Sequence, residues 1–182
     1  MKTLRLFVAL ISFHHFAAGC SGLPLYTYGE VPFVPTPPEV IDRMLELAEV
    51  KTGDVLYDLG SGDGRIVIRA AKKYGVKGVG IEIDSDLVQR SRARAKQEGV
   101  DHLAEFLEQD ALTVDVSPAS VVTLYMLPEF NAKLRPGLER QLRPGSRVVS
   151  HDFPIRGWMP IKVETMAGGW YHTHTIYLWK IP

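Results

Sequence analysis

The sequence predicts an α/β fold: a doubly wound, mostly parallel seven-stranded sheet with a C-terminal antiparallel hairpin. Three observations carry this. Short apolar runs alternate with amphipathic segments from Val55 onward, a glycine-rich turn joins the first run to a helix, and two β-rich runs joined by glycines end the chain. Alternating strand and helix implies a parallel sheet with right-handed crossovers.

The elements follow in order. Thr36-Pro37-Pro38-Glu39 reads as a capping box, with proline suited to the first helical position. Val40, Ile41, Met44, Leu45 and Ala48 recur at helical spacing, so residues 37–50 form an amphipathic helix. Val55 to Leu59 is a strand apolar on both faces, Arg65 to Tyr74 a helix closed by Gly75, Val76 to Ile83 a second strand, and Ser85 to Glu98 a helix closed by Gly99. Ala104 to Gln109 and Ser120 to Tyr125 are the next strands. Pro128 to Leu142 is helical with a break expected at Pro136, and Arg147 to Ser150 is the fifth strand. Ile161 to Ala167 and Trp170 to Ile181, joined by Gly168-Gly169, make the hairpin.

The chain has 182 residues, 46% hydrophobic and 23% charged, with zero formal net charge, which excludes a disordered or fibrous chain. Balanced charge gives no electrostatic footprint for nucleic acid. The single cysteine, Cys20, excludes a disulfide framework or a cysteine-based zinc cluster. The 6 histidines are scattered apart from His14-His15 and His172-His174, so no metal site is expected.

Residues 1–22 differ from the rest. A basic start, an apolar Leu6 to Phe13 and the small residues Ala17-Ala18-Gly19 before Cys20 have the layout of a secretory, lipoprotein-like signal. An uncleaved membrane anchor and a start codon placed too far upstream are the alternatives. Residues 23–36 are a proline-rich arm that either folds over the ligand site or merely links leader to domain. The domain itself occupies residues 37–182.

The turn "DLGSGDGRI" sits after the first strand, where open parallel sheets bind their ligands. It fails the dinucleotide fingerprint, because Arg65 stands where a third glycine belongs. It carries instead Asp58, Gly60, Ser61, Gly62, Asp63 and Gly64. Aspartates at base and tip disfavour a pyrophosphate and suit a cationic ligand, which points to S-adenosylmethionine with its ammonium and sulfonium. Glu82, about twenty residues beyond the turn, can accept from ribose hydroxyls. Asp110, after the third strand, can accept from the adenine amino group. Ile83 and Ala111, their neighbours, complete the expected cofactor contacts, with Thr36 of the arm close by.

With these residues in place, the chain resembles the class I, seven-stranded S-adenosylmethionine-dependent methyltransferases, a Rossmann-like fold, over residues 36–182. "VPFVPTP", "DLGSGDGRIVI", "GVGIEID", "VVTLYMLPEFNAKLRP" and "LRPGSRVVSHDF" are similar in order to the small membrane-anchored protein-lysine methyltransferases that include the ATP synthase c-subunit enzyme. Phe33 stands where that family carries tyrosine. The resemblance implies in-line methyl transfer to a lysine of a membrane-associated protein, with the enzyme held at the membrane by its leader. Tyr125 would line the acceptor side and Glu129 would orient the amine. His151-Asp152 reads either as a base pair or as a solvent-exposed turn. A small-molecule methyltransferase and a non-catalytic, S-adenosylmethionine-binding envelope protein are the alternative readings.

Overall fold

A computed structural model describes residues 33–168 and 172–182, which belong to a compact unit spanning Val31–Pro182. The leader over residues 1–22, residues 23–32 of the arm and the hairpin tip at 169–171 lie outside the described residues.

The strands are β1 Val55–Leu59, β2 Lys77–Glu82, β3 Ala104–Glu108, β4 Val121–Leu124, β5 Arg147–His151, β6 Lys162–Gly168 and β7 His172–Lys180. The helices are α1 Pro38–Leu47, α2 Arg65–Tyr74, α3 Ser85–Gln97 and α4 Pro128–Gln141. Seven strands form one sheet in the order β3-β2-β1-β4-β5-β7-β6. Strands β1 to β5 pair in parallel, while β7 runs antiparallel to both β5 and β6. Strand order reverses between β1 and β4, and the crevice beyond their carboxyl ends is where such sheets take ligands.

The core has two halves, one on each face. Met44 and Leu45 of α1, Ile68 of α2 and Val88 of α3 pack with Phe106 on one face; Leu134 and Leu138 of α4 pack with Leu59, Ile81, Leu124 and Trp179 on the other. This is why β1 and β4 are apolar on both faces apart from the hydrogen-bonded pair Asp58 and Thr123: both of their faces are covered.

Two local expectations are corrected. Thr36 caps nothing: α1 begins after Pro37 with no side-chain cap, and the Thr36 hydroxyl lies instead 3.2 Å from His151 Nδ1 on β5. A tertiary partner displaces the local one. Helix α4 also continues through Pro136 without the expected break. Proline removes one backbone donor, but Leu134 and Leu138 bury on either side of it, and their packing holds the axis.

At the outer edge, Arg43 of α1 donates from Nε and Nη2 to Glu164 of β6 at 2.6 and 2.7 Å. Both side chains are partly exposed, so Arg43→Ala should cost under about 1 kcal/mol in denaturant unfolding despite the bidentate geometry.

Candidate active site

The glycine turn is built by its own backbone. The amides of Gly60 and Ser61 both donate to the Ile81 carbonyl at 2.9 Å, and the Gly64 amide donates to the Ser61 carbonyl at 2.9 Å. The Gly62 amide donates to Glu82 Oε2 at 2.8 Å. Four donors that a phosphate-binding turn would aim outward are thus committed inward. Gly60, Gly62 and Gly64 have φ of 80°, 54° and 74°, values that side chains disfavour. Their neighbours add a steric reason. A methyl on Gly60 would lie 2.5 Å from Met126 Sδ, one on Gly64 would lie 2.6 Å from the Phe106 ring, and one on Gly62 would enter the Phe33 ring. The arm therefore lies against the turn through Phe33.

The four acidic residues take different parts. Asp58 is fully buried beneath the turn, where it accepts from Thr123 Oγ1 at 2.6 Å. Burial pushes its carboxyl up to about 7, against the lowering effect of that hydrogen bond, and the nearby charges of Glu82 and Asp63 add to the rise. Glu82, at the end of β2, takes the Gly62 amide on Oε2, and the Ile83 and Asp84 amides on Oε1 at 2.8 and 3.0 Å. It clasps the turn to β2. Asp110, just beyond β3, accepts from the Leu112 amide at 2.8 Å, which orients its carboxylate at the strand end.

Asp63 is otherwise engaged. Arg65 donates to both of its oxygens at 2.8 Å, and Arg94 Nη1 adds a third contact at 3.2 Å. Burial alone would raise the Asp63 carboxyl, but these two arginines bring it below its ordinary value. They neutralise the acidity expected at the tip of the turn, so the acidity of the site is left to the carboxylates of Glu82 and Asp110 at the strand ends, with buried Asp58 only partly ionised near neutral pH. Arg65, the residue that breaks the dinucleotide pattern, also donates to the Thr36 carbonyl at 3.0 Å and so ties the arm to the turn. Thr36 itself is buried between Arg65 and His151.

Ile83 is 72% exposed and Leu112 44%. These two apolar side chains follow Glu82 and Asp110 at adjacent strand ends, with half-buried Ala111 between them in sequence and Ser61 buried with its hydroxyl unpartnered. Leu112 was not among the sequence candidates; the signal that could find it is its place two residues beyond the acidic end of β3.

On the β4 and β5 side, Tyr125 is half-buried. Its ring lies 4.0 Å from that of His151 and 6.0 Å from that of Phe153, centre to centre, and its hydroxyl donates to Asp152 Oδ2 at 3.4 Å. Burial, then the Asp152 charge, raises the phenol above its usual value. Glu129 is exposed in the first turn of α4, and among the described residues no hydrogen bond joins it to Tyr125. His151-Asp152 is not a solvent-exposed turn. His151 is fully buried, and burial holds its imidazole neutral, pushed down to about 4. Asp152 has φ of 57°, a strained value for a residue with a side chain; its amide donates to the Thr175 carbonyl at 2.6 Å and its Oδ1 accepts from the Thr175 amide at 2.8 Å.

The strand order, the inward-committed glycine turn and the acidic ends of β2 and β3 define a class I methyltransferase. The ANTKMT methyltransferase domain matches residues 58–162, and the chain belongs to that family. Over 152 residues it is 47% identical to a protein-lysine N-methyltransferase of Saccharolobus islandicus, covering 83% of this chain and 94% of the relative. It is 41% identical to the human ATP synthase c-subunit lysine N-methyltransferase over 71% of this chain, and spans 55% of that relative's length. A crystal structure described as an RNA methyltransferase from Salinibacter ruber, in complex with S-adenosyl-L-homocysteine, is 57% identical, with a TM-score of 0.78 over 82% of this chain and 94% of the solved one.

Proposed function

We propose that the protein is a protein-lysine N-methyltransferase that uses S-adenosylmethionine and acts on a protein at a membrane. The observation that carries the cofactor assignment is the Glu82 clasp. It places a carboxylate beside a turn whose amides are already committed, between exposed Ile83 and the Asp110 strand end. That environment suits a ligand with vicinal hydroxyls, a flat apolar ring and positive charge better than a phosphate. Asp58, Gly60, Ser61, Gly62 and Gly64 would meet the amino-acid end of the cofactor. Glu82 would take the ribose, and Asp110 with Ile83, Ala111 and Leu112 the adenine. Asp63 and Thr36 would act through Arg65, holding turn and arm in place.

Bound S-adenosylmethionine supplies a methyl group on a sulfonium, and transfer to the amine leaves a neutral thioether. The chain's own task is alignment, where proximity supplies most of the rate. The rings of Tyr125 and Phe153 would wall an apolar approach, and desolvation there lowers the amine pKa from its solution value of about 10.4 and so favours loss of its proton. Tyr125, anchored by Asp152, would orient the nitrogen, and Glu129 at the mouth would attract the ammonium. Tyr125→Phe should lower kcat about tenfold while leaving cofactor affinity within twofold, as read by initial rates beside calorimetry.

The identity to lysine methyltransferases supports a protein acceptor. Membrane placement is supported by the apolar stretch Leu6 to Phe13 of the sequence alone; no helix of the described residues is long and apolar enough to cross a membrane. The relative described as an RNA methyltransferase favours a second reading, with RNA as acceptor. One assay separates them: the full chain with methyl-labelled S-adenosylmethionine is offered membrane protein, soluble protein and total RNA. The proposal expects nuclease-resistant label on lysine in the membrane fraction. Label in RNA sinks the lysine reading, and label in soluble protein alone sinks the membrane part.

A further inference from the structure

We propose that His151, Asp152, His172 and His174 form a binding site for one divalent cation of the zinc class, joining β5 to β7. This inference stands independently of the methyl acceptor.

Strand register creates the cluster. His151 ends β5 opposite Ile176 of β7, and side chains two apart on a strand share a face. His172 and His174 therefore stand on the same face as Ile176, in a row leading past the end of β5. The left-handed turn at Asp152 then folds its carboxylate back toward them. Oδ2 of Asp152 lies 3.3 Å from His151 Nε2, 3.1 Å from His172 Nε2 and 3.8 Å from His174 Nδ1. His151 Nε2 and His174 Nδ1 are 2.8 Å apart. A tetrahedral zinc with nitrogen and oxygen ligands at about 2.0–2.2 Å separates neighbouring ligand atoms by about 3.3–3.5 Å. The separations among His151, Asp152 and His174, from 2.8 to 3.8 Å, bracket that edge length, and exposed His172, 3.1 Å from Asp152, completes the shell by swinging its ring toward the other two imidazoles.

The chemistry of the donors agrees. Three imidazoles and one carboxylate make a set suited to zinc and poorly suited to magnesium or calcium, which take oxygen. Metal-ligating histidines usually have their second ring nitrogen fixed by a hydrogen bond, and Thr36 Oγ1 does this for His151 Nδ1 at 3.2 Å. With Nδ1–H donating to Thr36, the His151 Nε2 lone pair faces the cluster. The proton that His174 Nδ1 donates to His151 Nε2 in the metal-free protein passes through solvent to His174 Nε2, so that both rings stay neutral and each turns a lone pair to the cation. Three ligands come from protected positions, with His151, Asp152 and His174 side chains 0%, 12% and 11% exposed. His172, 58% exposed, is the entry-side ligand. Tyr125, which donates to Asp152 Oδ2, becomes an outer partner of the metal.

The test uses the full chain, free of any affinity tag and stripped by chelator. Zinc is titrated calorimetrically, and cobalt is added in parallel to read coordination by visible absorption. The wild type should take up one zinc per chain that His174→Ala binds about 100-fold more weakly, with a tetrahedral cobalt spectrum lost in that variant. His172→Ala, at an exposed position where folding is not at risk, should weaken binding about tenfold and shift the cobalt bands. Metal held by His14, His15 or Cys20 would be untouched by either substitution. No uptake by the wild type, or equal affinity in wild type and His172→Ala, overturns the proposal.

Discussion

Glu82→Ala should weaken S-adenosylmethionine binding about 100-fold, read by calorimetry on the full chain. The size follows from what the carboxylate holds. It accepts three backbone amides, from Gly62, Ile83 and Asp84, and hydrogen bonds to a charged group contribute about 1.5–3 kcal/mol each. Removing it frees the Gly62 amide and unclasps the turn from β2, and also deletes the acceptor proposed for the ribose hydroxyls. Two such losses amount to about 3 kcal/mol, and each 1.4 kcal/mol is tenfold in affinity. Glu82→Gln, which keeps one acceptor oxygen and loses the charge, should fall between, near tenfold. Unchanged affinity in the alanine variant would mean that the cofactor does not lie across the end of β2.

The second large effect is a pH dependence at Asp58. Its folded-state value of about 7 stands above the ordinary 3.8, so the unfolded chain ionises first as pH rises. The ligand-free protein therefore loses stability between about pH 4 and pH 7 from this group, by as much as about 4 kcal/mol. Asp58→Asn, which retains an acceptor for Thr123, should remove that slope and raise stability at pH 8. A cationic ligand does the opposite to the wild-type carboxyl: it favours the ionised form, so binding releases a proton. S-adenosylmethionine affinity should then rise about tenfold from pH 6 to pH 8 and level off above, and the rise should be absent in Asp58→Asn. Denaturant unfolding and calorimetry across that range check both halves. A flat affinity profile in the wild type would place the cofactor's charge away from Asp58.

These two carboxylates also mark how far the sequence could be read. Asp58 is visible in the sequence as the acid at the base of the glycine turn and Glu82 as the acid that ends the next strand, about twenty residues on, since strand, turn, helix and strand follow one another in the chain. That Asp58 is buried and Glu82 amide-clasped was not visible. Asp63 makes the contrast sharper: in sequence it is the most prominent carboxylate of the turn, yet Arg94, more than a helical turn into α3, shares it with Arg65. A carboxylate's availability depends on cations that the fold brings from elsewhere.

The same division runs through the whole molecule. The order and type of the elements were legible in the chain, with β1 and α2 bounded as expected, because apolar period, glycine ends and turn chemistry are local. The antiparallel close was legible too, since the last two runs have the strand period and a glycine junction. It took the folded chain to show Thr36 serving His151 rather than capping a helix, and α4 running through Pro136. Folding also gathered histidines 151, 172 and 174 around Asp152. Those outcomes depend on the register between β5 and β7 and on which helix face is buried. Register is fixed by the packing of the entire sheet, whereas a side chain's local preferences are weak enough, at about 1 kcal/mol, for a buried long-range partner to override them.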